Sequence, residues 1–477
     1  MMKKIIVLFR KDFRITDNPA LTQAGHDGTV APIYIYDEHY DGDWSLGGAS
    51  KWWLHYALED LTNSLQNLEA PLHIYKGNTI DILKKMVQSE EIDALYFNKR
   101  YEPHVMEQDE QLIKEMKEIN IDVQTFEGHL ILPPQETTKE NGDPYKVFTP
   151  FYKSFRQKEV PKATKKIRSL KSFHLDKDSL KADELSLLPT INWTSGMEAK
   201  WDVSEKGAWE TFKHFVKHRL RNYEDGRDVP AEESISNLSP YLAFGQISSR
   251  YIYQYLLEKS ESLQSANVEK QISAFLRQLV WREFSYHLLY FFPHTVRKPL
   301  NEKFTHFKWK QSKQDFKAWT KGKTGYPLVD AGMRELWETG VMHNRVRMVA
   351  ASFLVKHLLL PWQKGSEWFW DTLVDADLAN NTMGWQWVAG SGADAAPYFR
   401  IFNPTTQAER FDEDGEYIKK WIPELAKLPT KYIHKPWEAS DEILKKAEVS
   451  LGKNYPKPIV DHKSARERAL EHYDEIK

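Results

Sequence analysis

Residues 33 to 75 run Ile33-Tyr34-Ile35-Tyr36, then Leu54, Leu58, Leu61, Leu65 and Leu68 at three- and four-residue steps, then Leu72-His73-Ile74-Tyr75. The period changes from that of a strand to that of an amphipathic helix and back, which describes one strand, crossover helix and returning strand. Working outward, Ile5 to Phe9, Ala94 to Phe97 and Ile121 to Phe126 repeat the strand pattern, and Ile80 to Val87 repeats the helical one. Strands that alternate with crossover helices predict a doubly wound parallel sheet, Rossmann-like, over residues 1–130. No G-x-G-x-x-G follows the first run and no G-x-x-x-x-G-K-[ST] occurs anywhere. The sheet therefore lacks the usual phosphate-cradling loops.

Beyond residue 130 the pattern decays. Pro133-Pro134, Asn141-Gly142-Asp143-Pro144 and the basic run Lys162, Lys165, Lys166, Arg168 and Lys171 make 131–204 read as an interdomain linker. A charge run of this kind is usually a solvated face, although it could also touch DNA. After 205, Trp209, Phe212, Phe215 and Val216 fall in step, and Ala274 to Leu289, Gly332 to Leu360 and Trp368 to Ala379 each read as helix. Residues 205–477 are predicted to form an all-α domain, which makes the chain α/β plus all-α.

At 477 residues with 41% apolar content, two to three domains with sizeable cores are expected. Lys plus Arg number 66 against 68 Asp plus Glu, a net charge of -2. No global positive field draws in nucleic acid, so any such contact must be a local patch. There is no Cys, which excludes disulfides, thiolate metal sites and cysteine nucleophiles and suits a reducing compartment. The first apolar run is only five residues and none later reaches membrane-spanning length. A cytoplasmic location, with no membrane contact, is the expectation.

The chemistry concentrates late. Asn380-Asn381-Thr382-Met383-Gly384-Trp385-Gln386-Trp387 opens a Gly/Ala-rich run to Pro404 that is too polar for simple core, so something is expected to bind there. Trp362, Trp368, Trp370, Trp385 and Trp387 put five of the 17 Trp into residues 362–387, a density that suggests stacking or electron transfer. Asp371, Asp375 and Asp377 lie in the same region. Around these carboxylates the metal spacings His-x-x-x-Glu, His-Glu-x-x-His and Asp-x-Asp-Gly are missing, so no metal is expected, and Arg345 and Arg347 offer counter-ions that make plain ion pairing the competing reading. His343 reads as a satisfied helix histidine, and His214 and His218, at i and i+4, lack a third ligand.

Taken together, these blocks resemble the photolyase/cryptochrome family, most nearly its class I cyclobutane pyrimidine dimer photolyases. The resemblance rests on Phe9-Arg10-Lys11-Asp12-Phe13-Arg14-Ile15-Thr16-Asp17-Asn18, on Gly325 to Arg334, on Met342-His343-Asn344-Arg345-Val346-Arg347-Met348, on Asp375 to Gln407 and on Tyr455 to Val460. It implies FAD held in the helical half, which agrees with the missing Gly-rich loop. Tyr223, Ser236, Leu238, Ser239 and Arg282 match positions that hold phosphates and adenosine. Arg347, Asp375, Asp377 and Asn381 match positions beside the flavin ring, with Asp377 accepting from a ring N–H and Asn381 facing N5. Ile235-Ser236 stands where the family often has Thr-Ser, so one hydroxyl is lost. Trp385, Trp362 and Trp309 match an electron-relay triad that re-reduces the flavin.

The same resemblance implies light-driven repair, by electron transfer from photoexcited reduced FAD to a flipped-out cyclobutane dimer; base flipping is a general property of photolyases. Trp281, Met348 and Trp387 match the apolar walls of the lesion cavity, and Asn344, Arg345 and Gln407 match polar and phosphate contacts. Gln278 stands where the best-known enzymes carry Glu, and can donate to a thymine carbonyl without titrating. Met348 stands where (6-4) enzymes place a His, which favours cyclobutane dimers. The alternatives are a cryptochrome-like blue-light photoreceptor and a (6-4) photolyase. A second, antenna chromophore is expected, a folate or a deazaflavin; Asn98 to Glu107, with Val105 where a Glu would be, does not choose between them. The expected partner is ultraviolet-damaged DNA and the expected state a monomer.

Overall fold

The computed structural model describes residues 2–175, 179–262, 265–395 and 400–477. Residues 396–399, inside the block from Asp375 to Gln407, lie outside the described residues. Five parallel strands, β1 (Lys3–Phe9), β2 (Gly28–Tyr36), β3 (His73–Lys76), β4 (Ala94–Asn98) and β5 (Asp122–Phe126), lie in the order β3-β2-β1-β4-β5. The sequence reading of a doubly wound sheet holds strand for strand. Central β1 is buried from Ile5 to Phe9, the continuous apolar run of a strand covered on both faces. The crossovers are α1 (Pro19–Asp27), α2 (Gly48–Gln66), α3 (Thr79–Ser89) and α4 (Pro103–Glu118). Asn18 and Asn78 start α1 and α3 by accepting from Leu21 N and Asp81 N, each satisfying a first-turn donor.

The segment read as a linker packs along the seam between the halves where it is described. It carries α5 (Phe148–Phe155), a 3-10 turn at Ala182–Leu185 and a helix at Ser195–Lys200. Phe148, Phe151 and Phe155 form one buried face of α5, packed on the long Ala266–Phe291 helix. Pro150 in the first turn does not break it, because early helical positions have no intrahelical donor to lose. Lys162, Lys165, Lys166, Arg168 and Lys171 are all exposed, the solvated face expected of them.

The second half is helical, but two runs that read as continuous are each broken. Gly340, at φ 70°, closes Pro327–Thr339, and the chain restarts at Asn344–Ser352; a left-handed Gly ends a helix regardless of the apolar period. Likewise Trp362–Thr372 stops before Asp377, which caps Leu378–Ala389 through Asn380 N at 2.8 Å. The breaks carry His343, Asp375 and Asp377 into loops, while Asp371 stays in the last turn of Trp362–Thr372.

The two halves share one core, since a single buried apolar cluster contains both Val7 and Phe275. Arg14, 2% exposed, donates to the carbonyls of Asp17, Gly128 and Gly245. Glu205 accepts from Ile15 N and Thr16 N, and Asp371 from Gly48 N. No helix among the described residues is long and apolar enough to cross a membrane.

Candidate flavin and lesion site

Three helices build the site. Leu378–Ala389 packs against both Ala266–Phe291 and Asn344–Ser352. Each buries one side and leaves another partly open: Leu378, Ala379, Trp385 and Val388 are buried while Asn381 and Trp387 are half-buried, and Val346 and Val349 are buried while Arg347 and Met348 are half-buried. Gly384 adds to the open side, since a Cβ there would meet nothing within 4 Å.

Charged groups line the junction. Arg347 donates from Nη2 to both Asp375 oxygens, at 2.8 and 3.1 Å, and from Nε to Met342 O at 2.6 Å. Ion pairing thus holds for Asp375, but Arg345 pairs instead with Asp228 at 2.7 Å, and Asp371 serves the seam. Asp377 accepts from Asn380 N and Nδ2 on one oxygen and from Tyr286 Oη, at 2.5 Å, on the other. Behind it, His129 Nε2 lies 2.7 Å from Tyr286 Oη and 3.0 Å from Arg282 Nη2. Burial first, then Arg282, holds the His129 imidazole well below its usual range, so it is neutral. Asn381 donates from Nδ2 to Ser366 O and Oγ, at 3.1 and 2.9 Å, which fixes the amide and leaves its carbonyl oxygen for the open side. His343 is a cap rather than a mid-helix residue: its Nδ1 accepts from Arg345 N.

Of the residues assigned to phosphates and adenosine, Tyr223 and Leu238 are buried, Ser236 half-buried and Ser239 exposed. Arg282 is 8% exposed and is engaged by His129 O and Glu283 Oε1 as well as the His129 ring. Its neighbour Glu283 is fully buried and accepts from Ile131 N and Leu132 N. Burial pushes the Glu283 carboxyl up to about 7, against the opposing pull of Arg282 and those two amides. A raised acid favours the folded state when protonated, so its contribution is full below about pH 4.5 and disappears as pH rises toward 7. Relative to Glu283→Gln, the parent should lose on the order of 1–3 kcal/mol across that window, read from urea melts at several pH values.

The Trp residues divide by role. Trp385 and Trp362 are each 2% exposed, and Trp309 is half-buried beside Phe307. Trp385 meets Phe369 at 5.0 Å and Trp319 at 6.2 Å, both edge-on. Trp319 continues the aromatic path through Phe316 and Trp368 to exposed Trp337. Trp370 belongs to the seam, donating to Ser45 O. A Cβ on Gly365 would fall 2.0 Å from Trp385 Cη2, so glycine there is what admits the indole. Gly365→Ala should cost about 1–3 kcal/mol by overpacking and slow light-driven flavin reduction, seen as a lower Tm and a slower bleaching of the oxidised flavin band.

Of the residues expected to meet a lesion, Trp281 lies flat on Phe148 of α5, ring centroids 3.5 Å apart and planes 8° from parallel. Gln278 is half-buried and donates back to Ala274 O; Asn344 is exposed, with Nδ2 3.8 Å from Met348 Sδ; Gln407 is half-buried on Pro404–Phe411. Sequence reasoning missed Phe148, Ser366, Tyr286 and His129, which hold the assigned residues from behind. Only Phe148 left a local signal, the 148/151/155 aromatic period.

Residues 5–167 match the family described as DNA photolyase, and residues 275–475 match the FAD binding domain of DNA photolyase. The deoxyribodipyrimidine photo-lyase of Agrobacterium fabrum is 46% identical over 476 residues, covering 99% of this chain and 98% of its own length. Cryptochrome-2 of Arabidopsis thaliana is 38% identical over 485 residues, covering 98% of this chain and 78% of its own. The solved bacterial class III photolyase from Agrobacterium tumefaciens superposes with a TM-score of 0.95 at 45% identity, covering 100% of this chain and 98% of that one. Its class III description differs from the class I enzymes that the motifs resemble. Since both halves are matched and relatives align along nearly the whole chain, it belongs to the DNA photolyase family.

Proposed function

We propose that this protein repairs cyclobutane pyrimidine dimers in ultraviolet-damaged DNA under light, with FAD bound among its C-terminal helices. The observation that carries the reading is the junction of three packed helices, where Arg347, paired with the buried Asp375, and Asn381, Trp281, Met348 and Trp387 all remain half-buried. The donor set fits the cofactor: Tyr223, Ser236 and Ser239 hydroxyls and the spare N–H groups of Arg282 suit phosphate and ribose oxygens, and Asp377 is an acceptor for a ring N–H. Bound there, FAD supplies light absorption and the electron that opens the cyclobutane ring and is then recovered.

This chain's own part is to bind, orient and exclude water. Extruding a damaged nucleotide costs a few kcal/mol; stacking on Trp281 and Trp387 offsets it at about 1–3 kcal/mol per base. Phe148 holds Trp281 in plane, Asn344, Arg345 and Gln407 meet backbone and base edges, and Gln278 donates to a thymine carbonyl. Trp385, Trp362 and Trp309 form the relay to the surface. The place proposed for a second chromophore is the cleft at the C-terminal ends of β1 and β2, lined by Arg10, Tyr34, Tyr40 and Arg100, where doubly wound sheets characteristically take ligands.

A photoreceptor reading is favoured by the cryptochrome relatives. Blue light on an oligonucleotide carrying one thymine dimer separates the two: dimer repair absent in a dark control supports the proposal, and an intact lesion beside photoreduced flavin supports the receptor. Repair confined to a (6-4) lesion would overturn the Met348 argument.

A further inference from the structure

We propose that His55, Glu59 and Asp183 form a binding site for one divalent transition cation of the Zn2+ type, remote from the flavin residues. His55 and Glu59 sit at i and i+4 on α2 and so share a helix face, while Asp183 arrives from the Ala182–Leu185 turn. His55 Nε2 lies 3.6 Å from Glu59 Oε1 and 3.6 Å from Asp183 Oδ1, and the three candidate ligand atoms all fall within 4.8 Å of one another. A distance of 3.6 Å is too long for an N–H···O hydrogen bond. It is close to the edge of a tetrahedron whose bonds to the metal are about 2.0–2.2 Å, an edge of roughly 3.3–3.6 Å.

A second observation is the state of the imidazole. The His55 side chain is 4% exposed, its Nδ1 is buried with no hydrogen-bond partner, and its Nε2 is aimed between the two carboxylates. A buried ring with neither nitrogen hydrogen-bonded is costly, and a cation on Nε2 removes one of the two deficits. The carboxylates are 48% and 77% exposed, so solvent can supply the fourth ligand. Neither pairs with Lys or Arg among the described residues.

One imidazole with two carboxylates suits Zn2+ and its neighbours in the transition series, and disfavours Mg2+ and Ca2+, which take oxygen ligands. An ion here would tie the Ala182–Leu185 turn to the helix that covers the sheet, and binding to the folded form alone would raise its stability. The sequence hides the site, because Asp183 lies far along the chain from the His-x-x-x-Glu pair of α2.

The test uses full-length, tag-free protein stripped with chelator and titrated with Zn2+ against a chromophoric competitor. It is run in a His214→Ala background, because His214 and His218, with ring centroids 4.7 Å apart, form a rival surface pair. One equivalent should bind, and Asp183→Asn and Glu59→Gln should each weaken it roughly tenfold or more; both positions are exposed enough to leave the fold intact. Co2+ should give the visible bands of a four-coordinate site, lost in Asp183→Asn. Equal Zn2+ uptake by parent and Asp183→Asn, or none by the parent, overturns the proposal.

Discussion

Arg347→Ala is expected to purify with little flavin and to melt well below the parent. The guanidinium is the counter-ion of Asp375, whose side chain is only 4% exposed, and also donates to Met342 O. Removing one partner of such a pair leaves an uncompensated buried charge, a loss of about 3–5 kcal/mol. It also frees the loop from Met342 to His343 at the start of Asn344–Ser352. If half of that loss falls on the flavin-facing conformation, retention drops roughly tenfold or more. Arg347→Lys should recover only part, because one ammonium cannot replace both the Nη2 contact to Asp375 and the Nε contact to Met342 O. The ratio of flavin to protein absorbance, with a thermal melt on the same sample, reads both effects; full flavin retention with an unchanged Tm would falsify the assignment.

The second large effect is expected at the seam between the two halves. Arg14→Met should destabilise the whole chain by about 3–5 kcal/mol, because the carbonyls of Asp17, Gly128 and Gly245 lose a charged donor in a place water cannot reach. Gly128 follows β5 and Gly245 belongs to the helical half, so Arg14 joins sheet to helices through backbone oxygens. The methionine matches much of the stem, which separates loss of the hydrogen bonds from loss of packing. Urea denaturation should show a lower midpoint; an unchanged one would mean that the three carbonyl contacts of Arg14 add nothing to the joining of the halves.

Legibility followed the range of the interaction. The central strands were readable because a parallel strand buried on both faces needs an unbroken apolar run, as Ile5 to Phe9 and Ala94 to Phe97 show, whereas the half-buried edge strand Asp122–Phe126 was readable from its β-branched and aromatic residues. The Gly332–Leu360 and Trp368–Ala379 runs misled because apolar period reports which face is buried, not whether the backbone continues. Gly340 and Asp377 were the local stop and start signals. The basic run at 162–171 was correctly a solvated face, whereas the aromatic face of α5 was masked by its polar, Pro-containing surroundings. Asp371, Asp375 and Asp377 looked equivalent in sequence; the fold sent one to the seam, one to Arg347 and one to cap a helix.

Residue pattern alone determined the doubly wound sheet, the helical second half, the absence of cysteine chemistry and, through ordered motifs, the family. Only tertiary structure decided that Arg345 answers Asp228 rather than an aspartate of its own block, that Ser366 turns Asn381, that Phe148 backs Trp281 and that His55 meets Asp183. The reason is physical: periodicity and caps act within a turn or two of chain, while side-chain partners are chosen by which elements the packed core brings within about 3 Å, a selection that sequence separation does not record.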